Sequence, residues 1–155
     1  MLELARLLEL AADMEKAGAD LYRSLAEGYA AGTAGRDLFA FLASQEDAHE
    51  VWIAGFRSTL PDASIPGYDD VDPVAARAFA RVFSSTRLSD ERGRAKDTPS
   101  IIDFAIRREM DSIMLYHELS ARVPDPARSR LQELVAEERE HFGMLASLRA
   151  EGEGG

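Results

Sequence analysis

Along residues 2–30 the apolar and small positions Leu4, Leu7, Leu8, Ala11, Ala12, Gly18, Ala19, Tyr22 and Leu25 recur mostly at steps of three and four. That is the period of an amphipathic α-helix with one face turned to a core. A Gly-rich break at 31–35 separates it from a second stripe, Phe39, Leu42, Ala43, His49, Ile53 and Phe56, which ends near Pro61. So short a break predicts an antiparallel helical hairpin. A third stripe runs from Ile101 through Ala105, Ile106, Ile113 and Tyr116 to Leu119. Thr98 is its expected N-cap, with Pro99 at the first helical position, where the missing N–H costs nothing. Asp125 and Pro126 repeat that device ahead of a fourth stripe through Leu131, Leu134, Val135, Phe142 and Leu145, and residues 151–155 are expected to be a flexible tail.

Within each pair of helices the link is short, which leaves one long connection over 61–97. Such a length is uncommon for a structureless loop in a compact domain. Asp72 and Pro73 open a segment carrying Val74, Ala75, Ala78, Phe79, Val82 and Phe83 at helical spacing, so a short crossover helix is predicted there.

Composition narrows the chemistry. A chain of 155 residues with 46% hydrophobic content supports one domain, expected over 1–150, rather than two. It has no cysteine, which excludes disulfides, thiolate zinc sites, iron–sulfur clusters and a cysteine nucleophile. Any metal must be held by carboxylate and imidazole. A formal charge of -10 and a pI near 4.8 argue against nucleic acid as a partner. Glu3, Arg6 and Glu9 interrupt the first apolar stretch, and no run approaches the uncharged length of a membrane span. The expectation is a cytoplasmic protein with neither signal peptide nor membrane partner.

The chain also repeats itself. Glu15 is followed by Leu21, Tyr22 and Leu25, and Glu109 at the same spacing by Leu115, Tyr116 and Leu119. On the partner helices Glu46-Asp47-Ala48-His49 and Glu138-Arg139-Glu140-His141 are one Glu-x-x-His motif occurring twice. Residues three apart share a helix face, and all six ligand-type side chains fall inside the apolar stripes. Either motif alone would read as a solvated Glu–His pair. Four carboxylates converging on a dry interior are another matter, because even one unpaired buried carboxylate costs several kcal/mol. Two divalent cations would neutralise four carboxylates, with two neutral imidazoles completing the coordination.

A Glu on helices one and three with a Glu-x-x-His on helices two and four resembles the rubrerythrins and related diiron-carboxylate proteins, over nearly the whole chain. The resemblance implies an all-α, ferritin-like four-helix bundle made of two hairpins with one long crossover. It implies two Fe ions, with Zn or Mn suited to the same donors. Glu46 and Glu138 would bridge both metals, Glu15 and His49 would cap one, and Glu109 and His141 would cap the other. Tyr22 and Tyr116, two turns beyond their glutamates, look like tyrosines that hydrogen-bond ligand carboxylates. There are two departures. Where a rubrerythrin carries a further carboxylate three residues after the third-helix Glu, to which one iron can move, this chain has Ser112. A rubrerythrin also carries a four-cysteine rubredoxin module that feeds electrons to the metals, and this sequence has none.

The resemblance therefore implies an oxidoreductase that reduces peroxide or dioxygen with an external reductase or electron-transfer protein. Oxidation and handling of ferrous iron is the alternative, and a non-enzymatic metal-binding bundle the third. Trp52 and Phe56 lie about one turn apart, Trp52 pointing away from the ligand face, and are a candidate homodimer contact. The crossover would cover them equally well.

Overall fold

The computed structural model describes residues 4–60 and 98–153, and the expected crossover helix lies outside them. Among the described residues there are four helices and no strand: α1 (Leu4–Glu27), α2 (Ala34–Thr59), α3 (Thr98–Ser120) and α4 (Ala127–Glu153). The chain divides into two compact units, Met1–Val71 and Asp72–Gly155, each holding one helical hairpin. None of the described helices is long and apolar enough to cross a membrane.

In the first hairpin the turn is fixed by local chemistry. Gly32 takes φ 78°, a left-handed conformation that costs glycine nothing because it has no Cβ. Thr33 then caps α2 in extended conformation, its hydroxyl accepting from the Arg36 N–H at 3.4 Å and donating to the Ala30 carbonyl at 2.8 Å. Gly35 leaves room for the Tyr29 ring, which a Cβ there would meet at 2.5 Å. Tyr29 in turn lies 5.6 Å from the Phe39 ring, on which Tyr22 also stacks at 6.0 Å. Leu4, Leu7, Leu8, Ala11, Leu42 and Ile53 line the buried faces, each large side chain contributing roughly 1.5–3 kcal/mol by leaving water.

In the second hairpin the entry to α4 differs from expectation. The helix begins at Ala127, so Pro126 stands in the turn before it rather than at its first position. Asp125 still satisfies an N-terminal donor, but its carboxylate accepts from the Ser129 N–H at 3.3 Å and the Ser129 hydroxyl at 2.7 Å. Those bonds, the hydroxyl first, hold its pKa below the usual carboxylate range. Thr98 is itself the first residue of α3, one position inside the helix it was expected to cap. At the other end α4 continues to Glu153, into the segment 151–155.

Each hairpin also carries an ion pair joining its two helices. Arg57 Nε donates to Glu9 at 3.0 Å, and Arg149 Nε donates to Asp103 at 2.8 Å. The acidic partner stands six residues before the helix glutamate in both hairpins, and the arginine eight residues after the histidine. The repeat thus extends beyond the ligand-type residues. Trp52 and Phe56 are half-buried and stacked on each other at 5.4 Å.

Candidate metal centre

Helical period carries the six residues inward. On α1, Glu15 occupies the same face as Leu8, Ala11, Ala19 and Tyr22, and on α2 Glu46 and His49 sit between Leu42 and Ile53. On α3, Glu109 shares the face of Ile102, Ala105 and Tyr116, and on α4 Glu138 and His141 lie between Leu134 and Leu145. None of the six is more than 3% exposed. Carboxylates are almost never buried to that degree unless paired or bound to a cation.

Each hairpin gathers its own trio. One ligand atom from each of Glu15, Glu46 and His49 lies within 4.8 Å of the others, and the same holds for Glu109, Glu138 and His141. His49 Nδ1 stands 3.6 Å from Glu15 Oε2, and His141 Nδ1 stands 3.7 Å from Glu109 Oε2. The second trio is also tied along α4, where His141 Nδ1 meets Glu138 Oε2 at 3.0 Å. Two donors held about 2.1 Å from one ion at right angles stand about 3 Å apart, so the spacings in both trios suit a shared cation. The donor chemistry fits too. Carboxylate oxygen and imidazole nitrogen suit iron, manganese and zinc alike.

Tyr22 and Tyr116 are fully buried on α1 and α3, two turns beyond Glu15 and Glu109, with Tyr22 wedged against Phe39. Ser112, one turn beyond Glu109, is buried as well. His117 is exposed on α3. Two features escaped the sequence analysis. The Arg57–Glu9 and Arg149–Asp103 pairs could have been found by extending the repeat outward from the motifs. Arg108, beside Glu109, is 7% exposed, and its only signal was an arginine at the edge of an apolar stripe.

No curated protein matches the chain. Among solved structures, a Thermotoga maritima protein described as a ferritin-like diiron-carboxylate protein superposes with a TM-score of 0.71 at 25% identity, covering 97% of this chain and 96% of that one. The fold is accordingly the all-α, ferritin-like four-helix bundle anticipated from the periodicity and the motifs. The Rubrerythrin family model matches residues 6–149, which takes in both hairpins and all six buried ligand-type residues, and the chain belongs to the rubrerythrin family.

Proposed function

We propose that the two trios form one centre for two iron ions, and that the protein is an oxidoreductase reducing peroxide or dioxygen with electrons from an external donor. One observation carries this reading: a Glu–Glu–His trio, sealed from solvent, occurs in both hairpins at matched spacings. Glu46 and Glu138 would be shared by the two ions. Glu15 with His49 would hold one ion, and Glu109 with His141 the other. Four carboxylates against two divalent ions make a neutral interior, which relieves the cost of burying them. When bound, a ferrous pair supplies the two electrons that cleave a peroxide bond.

The remaining tasks fall to the protein. Leu42, Ile53, Leu134 and Leu145 beside the ligands keep water from the site and confine reactive oxygen species. The Tyr22 and Tyr116 hydroxyls orient ligand carboxylates, which fixes the donors before the metals arrive. Electrons for a second turnover must come from another protein, since the sequence has no cysteine for an iron–sulfur relay.

Anaerobic loading with ferrous iron, followed by stopped-flow mixing with hydrogen peroxide, tests the reading. The expected result is oxidation of about two irons per peroxide, with turnover only after a reductase is added. Diferrous protein inert to both peroxide and dioxygen would refute it.

A further inference from the structure

The outward face of α3 departs from the repeat. Exposed along α1 around Glu15 are Asp13, Lys16, Asp20, Arg23 and Glu27, every one of them charged. At the same spacings around Glu109, α3 exposes Arg107, Met110, Met114, His117 and Ala121. Met110 and Met114 are 49% and 43% exposed and stand one helical turn apart, so their side chains are neighbours. Holding a hairpin together does not require them, since α1 packs on α2 with charges at the matching places. Methionine and arginine are enriched in protein–protein interfaces and Asp, Glu and Lys depleted, because a flexible thioether adapts to the surface it meets.

Charge on this face favours an acidic partner, although the chain as a whole carries -10. Of the carboxylates bordering it, Asp103 is bound by Arg149 at 2.8 Å, Glu118 is bound by Arg122 at 2.6 Å, and Asp111 is half-buried and engaged in its turn. Arg107 makes no ion pair among the described residues. The face also adjoins the candidate metal centre along the chain: Glu109 is buried, and Met110, one peptide bond away, is exposed.

We propose that the α3 face formed by Arg107, Met110, Met114 and His117 is where the electron donor docks, and that this donor is a small acidic one-electron carrier protein. The proposal rests on the reading of the centre as an oxidoreductase with an external donor. A carboxylate of the carrier meets Arg107 while its apolar surface covers the methionines. Two reduced carriers in turn, each oxidised by one electron, return a diferric pair to the diferrous state. Redox encounters of this kind bury less than about 1,200 Å² in total, an area that one helix face can supply.

A plant-type ferredoxin, an acidic one-electron carrier, is the probe. Its binding to the zinc-loaded full chain, read by biolayer interferometry at low ionic strength, separates docking from chemistry. Met110→Glu, Met114→Glu and Arg107→Glu, all at exposed positions that leave the core intact, should each weaken binding by about tenfold. Lys16→Glu, on the matching face of α1 and with the same change of charge as Arg107→Glu, should leave it within about twofold. In the iron-loaded protein the three α3 variants should slow reduction by ferredoxin but not by reduced methyl viologen, a small donor that needs no docking face. Ferredoxin that fails to bind the wild type, α3 variants that lose nothing, or an equal loss in Lys16→Glu overturns the proposal. A wild-type dimer made monomeric by Met110→Glu assigns the face to a second copy and overturns it as well. A metal pair reduced by neither donor refutes the oxidoreductase reading, whereas reduction by viologen alone refutes the docking inference alone.

Discussion

In the first hairpin Glu15 stands between Met14 and Gly18, and in the second Glu109 stands between Arg108 and Ser112, all of them buried. Much else that shapes the two hairpins is matched. Both carry a Glu-x-x-His on the second helix, a wholly buried tyrosine two turns past the first-helix glutamate, and an Arg–carboxylate pair joining the helices. The ligand-type residues and their mechanical support are held in common, because donors must be set to within a fraction of an ångström before they can share an ion. Charge around the donors is where the hairpins part. The buried arginine beside Glu109 has no counterpart beside Glu15.

The largest expected effect falls on Glu46 and Glu138, the two residues proposed to serve both metals. Removal of metal by a chelator should lower the melting temperature, since an ion present at a thousand times its Kd stabilises the fold by about 4 kcal/mol. Glu46→Ala and Glu138→Ala should each abolish most of that response in differential scanning calorimetry. If only one does so, the hairpins differ in more than charge. Next come the matched core leucines. Leu42→Ala and Leu134→Ala, each removing a fully buried side chain, should both cost about 3 kcal/mol in urea denaturation. A wide gap between them would locate the asymmetry in packing instead. Tyr22→Phe and Tyr116→Phe should leave stability nearly unchanged and weaken metal binding by about tenfold, read by competition with a chromophoric chelator. Unaltered affinity in both would reduce the tyrosines to packing.

The smallest effect belongs to the exposed ion pairs. Glu9 is held below the usual carboxylate range by its hydrogen bond from Arg6 and then by that from Arg57. A lowered folded-state pKa contributes stability that is present above the unfolded value and is lost as the pH falls through the folded one. Arg57→Ala should therefore be mildly destabilising at pH 7 and indistinguishable from wild type at pH 2–3, by urea denaturation at both. A cost that persists in acid would show that the arginine acts through its alkyl chain.

The four helices were legible because their apolar stripes are long and keep one period; burial of Glu46, His49, Glu138 and His141 was legible because each Glu-x-x-His lies within such a stripe, and that of Glu15 and Glu109 because the repeat matches them on α1 and α3. The start of α4 was less so. Asp125 and Pro126 have the composition of a cap, but which N–H the carboxylate reaches depends on a turn that places Ser129 beside it. The end of α4 at Glu153 was not legible, because Glu151, Gly152 and Glu153 have no apolar period. Arg108 was not singled out because an arginine beside a stripe commonly lays its stem on the core and leaves its head in water. Only packing shows that this one is enclosed. The choice among iron, manganese and zinc is not written in a set of oxygen and nitrogen donors, since all three accept it.

The central claim is that Glu15, Glu46, His49, Glu109, Glu138 and His141 hold two metal ions in one centre. Metal analysis of protein purified from iron-replete cells, run beside His49→Ala and His141→Ala, tests it most directly. The account predicts about two irons per wild-type chain and a clear loss of bound iron in each variant. Iron content that is negligible in wild type, or equal in all three proteins, would contradict it.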